Sequence, residues 1–211
     1  MIKTGIPPIY GWSQSGGTIT LQVNSTNDDG RFYYMTGGGG GDTDLGASED
    51  YPSRTTGSAI ARVDPTVSGD EYIKHKAFFR FPGVGIAQGA VIQSAYLQVV
   101  ITASSGTGDM TVVALDTDNA SDSPPLKANS ARDNHTSASV TWSNPTADGT
   151  NHVSSPDIKT VIQEIVNRSG WSSGNAILMQ AVFLHQSGAH SRSFNDYTAN
   201  TSRAAKLVIT T

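Results

Sequence analysis

Four carboxylates fall within nine residues: Asp42, Asp44, Glu49 and Asp50 follow directly on five consecutive glycines, Gly37 to Gly41. Hard oxygen donors on a pliable loop are what Ca²⁺ takes. The spacing is not that of a twelve-residue EF-hand loop, and glycine-rich loops also carry acids that are simply solvated. The expectation is therefore a structural calcium at Asp42, Asp44 and Asp50, beside the plainer reading of solvated acids, and no other cofactor. Asp116, Asp118 and Asp122 form a second group with the same merit and the same weakness.

Other chemistry finds less support. There is no cysteine, which excludes thiolate nucleophiles, thiolate metal sites and disulfides. The histidines, His75, His135, His152, His185 and His190, form neither H-E-x-x-H nor H-x-H. His75, between two lysines on an alternating segment, is expected to face solvent. No G-x-S-x-G joins a strand to a helix. The glycine run lacks the trailing G-K-S/T of a phosphate loop. Glycoside hydrolysis needs two positioned carboxylates, but the acids here lie mostly in loops, and Glu164 is expected on the solvent face of a helix. The chain reads as no enzyme.

Aromatic side chains are the better binding candidates, because flat exposed rings stack on sugars or anchor a partner subunit. Tyr10, Trp12, Tyr33 and Tyr34 stand in the irregular first quarter and are the expected partner or glycan contacts. Trp142 and Trp171 read as core or edge-packing residues. Arg62, Lys74, Lys76 and Arg80 lie along two strands, and the last three share a parity that suggests a solvated face with lysines guarding an edge. The net charge is −4 and only 15% of residues are charged, against about 25% in an average domain. Serine and threonine together number 47. Nucleic acid and anionic membranes are therefore not expected as partners. No apolar run reaches the length that spans a bilayer. The first residues carry neither the apolar stretch nor the cleavage site of a secretory signal, so if Met1 is native, export by another route is expected, such as a particle released by lysis.

These residues must be positioned by strands. Period-two alternation or β-branched and aromatic enrichment marks segments at 18–23, 31–35, 59–63, 72–81, 91–102, 110–116, 140–142, 176–185, 191–194 and 205–210. One helix is expected over about 156–168. Apolar residues at 158, 161, 162, 165 and 166 give it a single buried stripe. Ser155 is its expected N-cap, Pro156 its first position, Asp157 and Arg168 its dipole partners and Gly170 its stop. The fold class is all-β, a β-sandwich jelly roll with one short helix. Residues 1–57 read as an irregular glycine-rich segment with two short strands, docking onto or joining the sandwich of residues 58–211.

Four fragments carry a family likeness: AFFRFPGVGIAQGAVIQSAYLQVVI (77–101), VTWSNP (140–145), SPDIKTVIQEIVNRSGWSSGNAILM (155–179) and RSFNDYTANTSRAAKLVIT (192–210). In this order they resemble the disaggregatase-related, or DNRLRE-like, modules, over about residues 58–211. Such modules are carbohydrate-binding-module-like jelly rolls of surface and extracellular proteins and of some phage structural proteins, and they often carry a structural calcium. The motifs speak to fold more than to function. The resemblance, with a chain starting at Met1, implies a non-enzymatic virion surface subunit, capsid decoration or tail-associated. Its expected partners are neighbouring virion subunits or copies of itself, a trimer being the usual closed form. The alternative is a carbohydrate-binding module of a surface or secreted protein, located outside the cell or on its surface.

Overall fold

In the computed structural model, residues 16–36, 52–53, 59–67, 71–122, 134–183 and 189–211 are described, with backbone alone for 33–36, 52–53, 62–67 and 71–74. In chain order the strands are β1 Thr18–Gln22, β2 Asp29–Thr36, β3 Pro52–Ser53, β4 Ile60–Val67, β5 Glu71–Phe81, β6 Ser94–Val99, β7 Ile101–Ser105, β8 Met110–Ala114, β9 Val140–Trp142, β10 Val153–Ser154, β11 Ile177–Val182, β12 His190–Phe194 and β13 Lys206–Thr210. A helix, α1 Lys159–Val166, lies between β10 and β11.

Four strands pair as β1-β13-β6-β10, and the other nine pair as β7-β12-β4-β5-β11-β8-β9 with β2 and β3 attached to β5. Every pairing is antiparallel. The long strand β5 organises the larger sheet. Its residues 71–75 pair with β4 and 77–81 with β11 along one edge, while 72–79 pair with β2 along the other. The sheets pack over one core, which makes the fold an all-β sandwich. Ala95, Leu97 and Val99 of β6 and Leu207 and Ile209 of β13 meet Ala77, Phe79 and Phe81 of β5 and Ile177 and Met179 of β11 there. Phe79 meets Phe194 edge to face at 5.6 Å between ring centres, a favourable aromatic geometry.

The stripe expected on the helix is buried throughout: Ile158, Val161, Ile162, Ile165 and Val166. The helix itself is shorter than expected and capped differently. Ser155 is not its cap; Ser155 Oγ accepts from Leu97 N–H at 3.0 Å and donates to the Pro156 carbonyl at 2.8 Å. Asp157 Oδ1 instead accepts from Lys159 N–H and Ala95 N–H, both at 3.0 Å, tying the first turn to β6. One expected strand, 91–102, is two: β6 ends at Val99 in the smaller sheet and β7 begins at Ile101 in the larger. Between them the Val100 carbonyl accepts from Asn195 N–H at 2.9 Å. Periodicity cannot register such a crossing, since both halves bury apolar side chains in the same core.

Two surface expectations are corrected. His75 is only 6% exposed, because it shares the parity of Ala77, Phe79 and Phe81. Lys76 is as buried, and Arg80 is half-buried. Their face of β5 is not solvated and β5 is not an edge. A second apolar cluster of Phe32, Phe78, Ala120, Ala176 and Leu178 covers it. The Lys74 side chain lies outside the described residues.

Candidate functional site

The chain after β8 returns across the sheet as residues 115–122, and Arg168, just past α1, holds it. Arg168 Nε donates to Asp118 Oδ1 at 2.6 Å and its Nη1 to Asp116 Oδ1. Asn175 Nδ2 donates to the Asp118 carbonyl at 3.0 Å, and Asn119 Oδ1 accepts from Ala176 N–H at 2.9 Å. On the same stretch Arg80 Nε donates to the Ala120 carbonyl at 2.8 Å, while Arg80 Nη1 reaches Asp28 at 2.6 Å. Asp116 and Asp118 are thus partners of a guanidinium, which corrects the expectation of a second metal group. Gly170 belongs to the same arrangement, since a Cβ there would run into the Asp118 carboxylate.

Glu164 does not simply face solvent either. Its two carboxylate oxygens accept from Ser137 N–H at 2.8 Å and Ala138 N–H at 2.7 Å, so α1 fixes the approach to β9. Glu164→Ala leaves both donors without that acceptor and is expected to cost about 1–3 kcal/mol. Denaturant unfolding checks it, with Glu164→Gln, which keeps one acceptor, falling between.

At another junction Arg192 of β12 is fully buried. Its Nε donates to the Pro145 carbonyl, and Nη1 to the carbonyls of Ser105 and Ser191 at 3.0 and 2.7 Å. Nη2 donates to Asn144 Oδ1 at 2.7 Å, and the Phe183 ring lies 5.5 Å away. All its acceptors are neutral, and burial lowers its pKa. Asn144 has φ 36, a left-handed conformation in which its carboxamide also accepts from Gly108 N–H at 3.3 Å.

A third group was not anticipated. Asp28 and Asp29, where β2 begins, and Asp196, after β12, are all buried. Asp29 Oδ2 accepts from Tyr197 N–H at 2.7 Å, and Asp196 Oδ1 from Ala199 N–H at 2.7 Å. Burial, above all, pushes Asp29 from 3.8 up to about 7; the charges of Asp196 and Asp28 add to this and the Tyr197 N–H opposes it. Asp28-Asp29 and Asn195-Asp196 read as ordinary turn residues in sequence, so no local signal marks them.

The outer face of the smaller sheet is laid out in a regular way. Register aligns Thr20, Val208 and Tyr96 in one row, flanked by a row of Thr18, Thr210 and Ser94 and a row of Gln22, Lys206 and Gln98. Gln98 Nε2 donates to Ser154 Oγ at 3.1 Å, continuing the last row onto β10. Tyr96 is half-exposed amid hydroxyls and amides, and these rows hold no carboxylate.

Of the residues expected to bind calcium, Asp42, Asp44 and Asp50, none lies among the described residues, and neither does Glu49. The same holds for Tyr10 and Trp12. Tyr33 and Tyr34 stand on β2 opposite His75 and Lys74 of β5, with their side chains outside the description. Trp142 and Trp171 are buried, and Trp171 Nε1 donates to the Ile86 carbonyl at 2.9 Å. Among the described residues no group of three or more His, Asp or Glu side chains is arranged to hold a metal ion. No family model matches this chain, and no curated protein matches it.

Proposed function

We propose that this chain is a non-enzymatic structural and interaction protein, a subunit of a phage virion surface in a capsid-decorating or tail-associated position. The observation that supports it most is where the charged side chains are spent. Arg168 and Glu164 each hold a loop in place, through its carboxylates or its backbone, Asp157 ties the first turn of α1 to β6, and Arg192 holds the Pro145 carbonyl after β9. A frame fixed in this way suits a virion surface subunit, and the sequence is rich in hydroxyls and poor in charge. The resemblance of residues 58–211 supplies the virion context. The partners would be neighbouring virion subunits or further copies of the chain, and the calcium expected at Asp42, Asp44 and Asp50 would be structural.

Mass spectrometry of gradient-purified particles from the source cells tests this. Peptides of this chain at stoichiometric levels are the expected result. Their absence from particles, with the chain found on cells or in medium, would overturn it.

A carbohydrate-binding module is the second reading, favoured by Tyr96 on the outer sheet face. A glycan array of the intact chain is then expected to give binding that Tyr96→Ala abolishes. Because Tyr96 points away from the core, its removal is expected to leave the unfolding free energy within about 0.5 kcal/mol of the parent.

A further inference from the structure

β1 is an edge strand whose backbone parity can be read off its pairing with β13. Val23 N–H donates to the Ala205 carbonyl at 2.9 Å and Thr211 N–H to the Gly17 carbonyl at 3.1 Å. With the register Ile19 to Ile209 and Leu21 to Leu207, residues 17, 19, 21 and 23 turn their amides toward β13. The N–H and C=O groups of Thr18, Thr20 and Gln22 therefore point along the open edge. None of these three is bonded there among the described residues.

Among the described residues nothing guards this edge. The segment Thr18–Gln22 has no lysine, no proline, no charge and no register shift, the devices by which proteins blunt an exposed strand. The contrast with β7 is direct. That edge strand has its Ile101 carbonyl taken by Gly149 N–H at 2.9 Å and its Ser105 carbonyl by Arg192 at 3.0 Å, with a register shift in its pairing to β12. The edges at β3, β9 and β10 are only two or three residues long. Beside β1, Ile19 and Leu21 pack on the core but stay half-exposed at the rim, an apolar flank that a further strand would cover.

We propose that β1 is the seam of a two-fold dimer, in which the β1 strands of two copies pair antiparallel about Thr20 and merge their four-stranded sheets. A second copy fits this edge better than a foreign strand because β1 is complementary to itself. Centred on Thr20, the pairing sets Thr18 against Gln22 of the partner copy and Ile19 against Leu21, with no like charges opposed. Thr18, Thr20 and Gln22 of each copy then donate and accept once each, so every outward backbone group is satisfied. The arrangement closes at two copies, because the opposite edge at β10 is too short to propagate it. The inference holds whether or not the protein belongs to a virion.

Light scattering after gel filtration, from about 1 to about 100 µM, is expected to give twice the 22.2 kDa chain mass. Thr20→Lys sets two ammonium groups across the axis and is expected to return the mass to 22.2 kDa. Because the chain has no cysteine, crosslinking then fixes the register independently. Thr20→Cys is expected to form an intermolecular disulfide on mild oxidation, since facing residues of a hydrogen-bonded pair lie about 5.5 Å apart at Cα. Thr18→Cys is expected to stay uncrosslinked in the same conditions, because two such positions would be about 13 Å apart along the strands. A parent that remains monomeric to about 100 µM, a dimer that Thr20→Lys leaves intact, or crosslinking of Thr18→Cys as readily as Thr20→Cys would each overturn the seam. Should Thr20→Lys fail to fold, the two cysteine variants decide alone.

Discussion

Replacing Asp29 with asparagine is expected to raise stability at pH 8 by about 4 kcal/mol and to leave it nearly unchanged at pH 4. Asp29 is 1% exposed, and in the folded protein its carboxyl is pushed from 3.8 up to about 7. The unfolded chain releases that proton near 3.8, the folded chain only near 7. Between those values the folded state binds more protons than the unfolded one, so this group's contribution to stability falls as pH rises and levels off above about 7. The difference between 3.8 and about 7 corresponds to about 4 kcal/mol. The substituted carboxamide stays neutral at every pH, and its oxygen can still accept from Tyr197 N–H, the bond seen at 2.7 Å. Urea unfolding of parent and Asp29→Asn at pH 4, 6 and 8 measures the difference. A gap between the two that does not change with pH would contradict the argument.

Arg192→Ala is expected to cost about 3–5 kcal/mol, since several buried acceptors lose a donor at about 1–3 kcal/mol each. The loss has two parts. The carbonyls of Pro145, Ser105 and Ser191 lose the guanidinium as donor, Asn144 Oδ1 is left with Gly108 N–H, and the face of Phe183 loses its packing partner. Arg192→Met restores much of the volume without the donors, so it separates the two parts. Since the guanidinium has neutral acceptors rather than a carboxylate, no buried charge is stranded by its removal, and the cost lies in the acceptors. Arg192→Met is therefore expected to stay at least about 2 kcal/mol below the parent. Equal stability of Arg192→Met and parent would show that packing, not hydrogen bonding, is what the arginine supplies. Denaturant midpoints at a fixed pH provide the comparison.

The helix illustrates how far local pattern reaches. Five apolar positions at helical spacing were enough to say which face is buried, and all five are. They were not enough to say what caps it, because Ser155 has a second option in Leu97 N–H of β6 that only packing brings within 3.0 Å. His75 failed for a related reason. Flanking lysines suggested water, whereas parity with Phe79 and Phe81 places it inward, and a cluster built from β2, β11 and residues 115–122 covers the lysine face. The acids were legible as types and not as roles. Asp116 and Asp118 meet Arg168 from about fifty residues away, and Glu164 meets Ser137 and Ala138 from across a loop.

By itself the sequence determined that the chain is all-β with one amphipathic helix, where most strands run, and that Trp142 and Trp171 pack in the core or at its edge. Those properties depend on periodicity and side-chain size, which act over a few neighbouring residues. Tertiary structure alone decided that the 91–102 segment divides between two sheets at Val100, that β5 carries two neighbours along one edge, and that Asp29 is buried beside Asp28 and Asp196. The physical reason is that strand pairing and desolvation are properties of groups brought together from distant positions. The ladder satisfies identical backbone groups, so no residue names its partner, and a carboxyl's proton affinity is set by what excludes water around it.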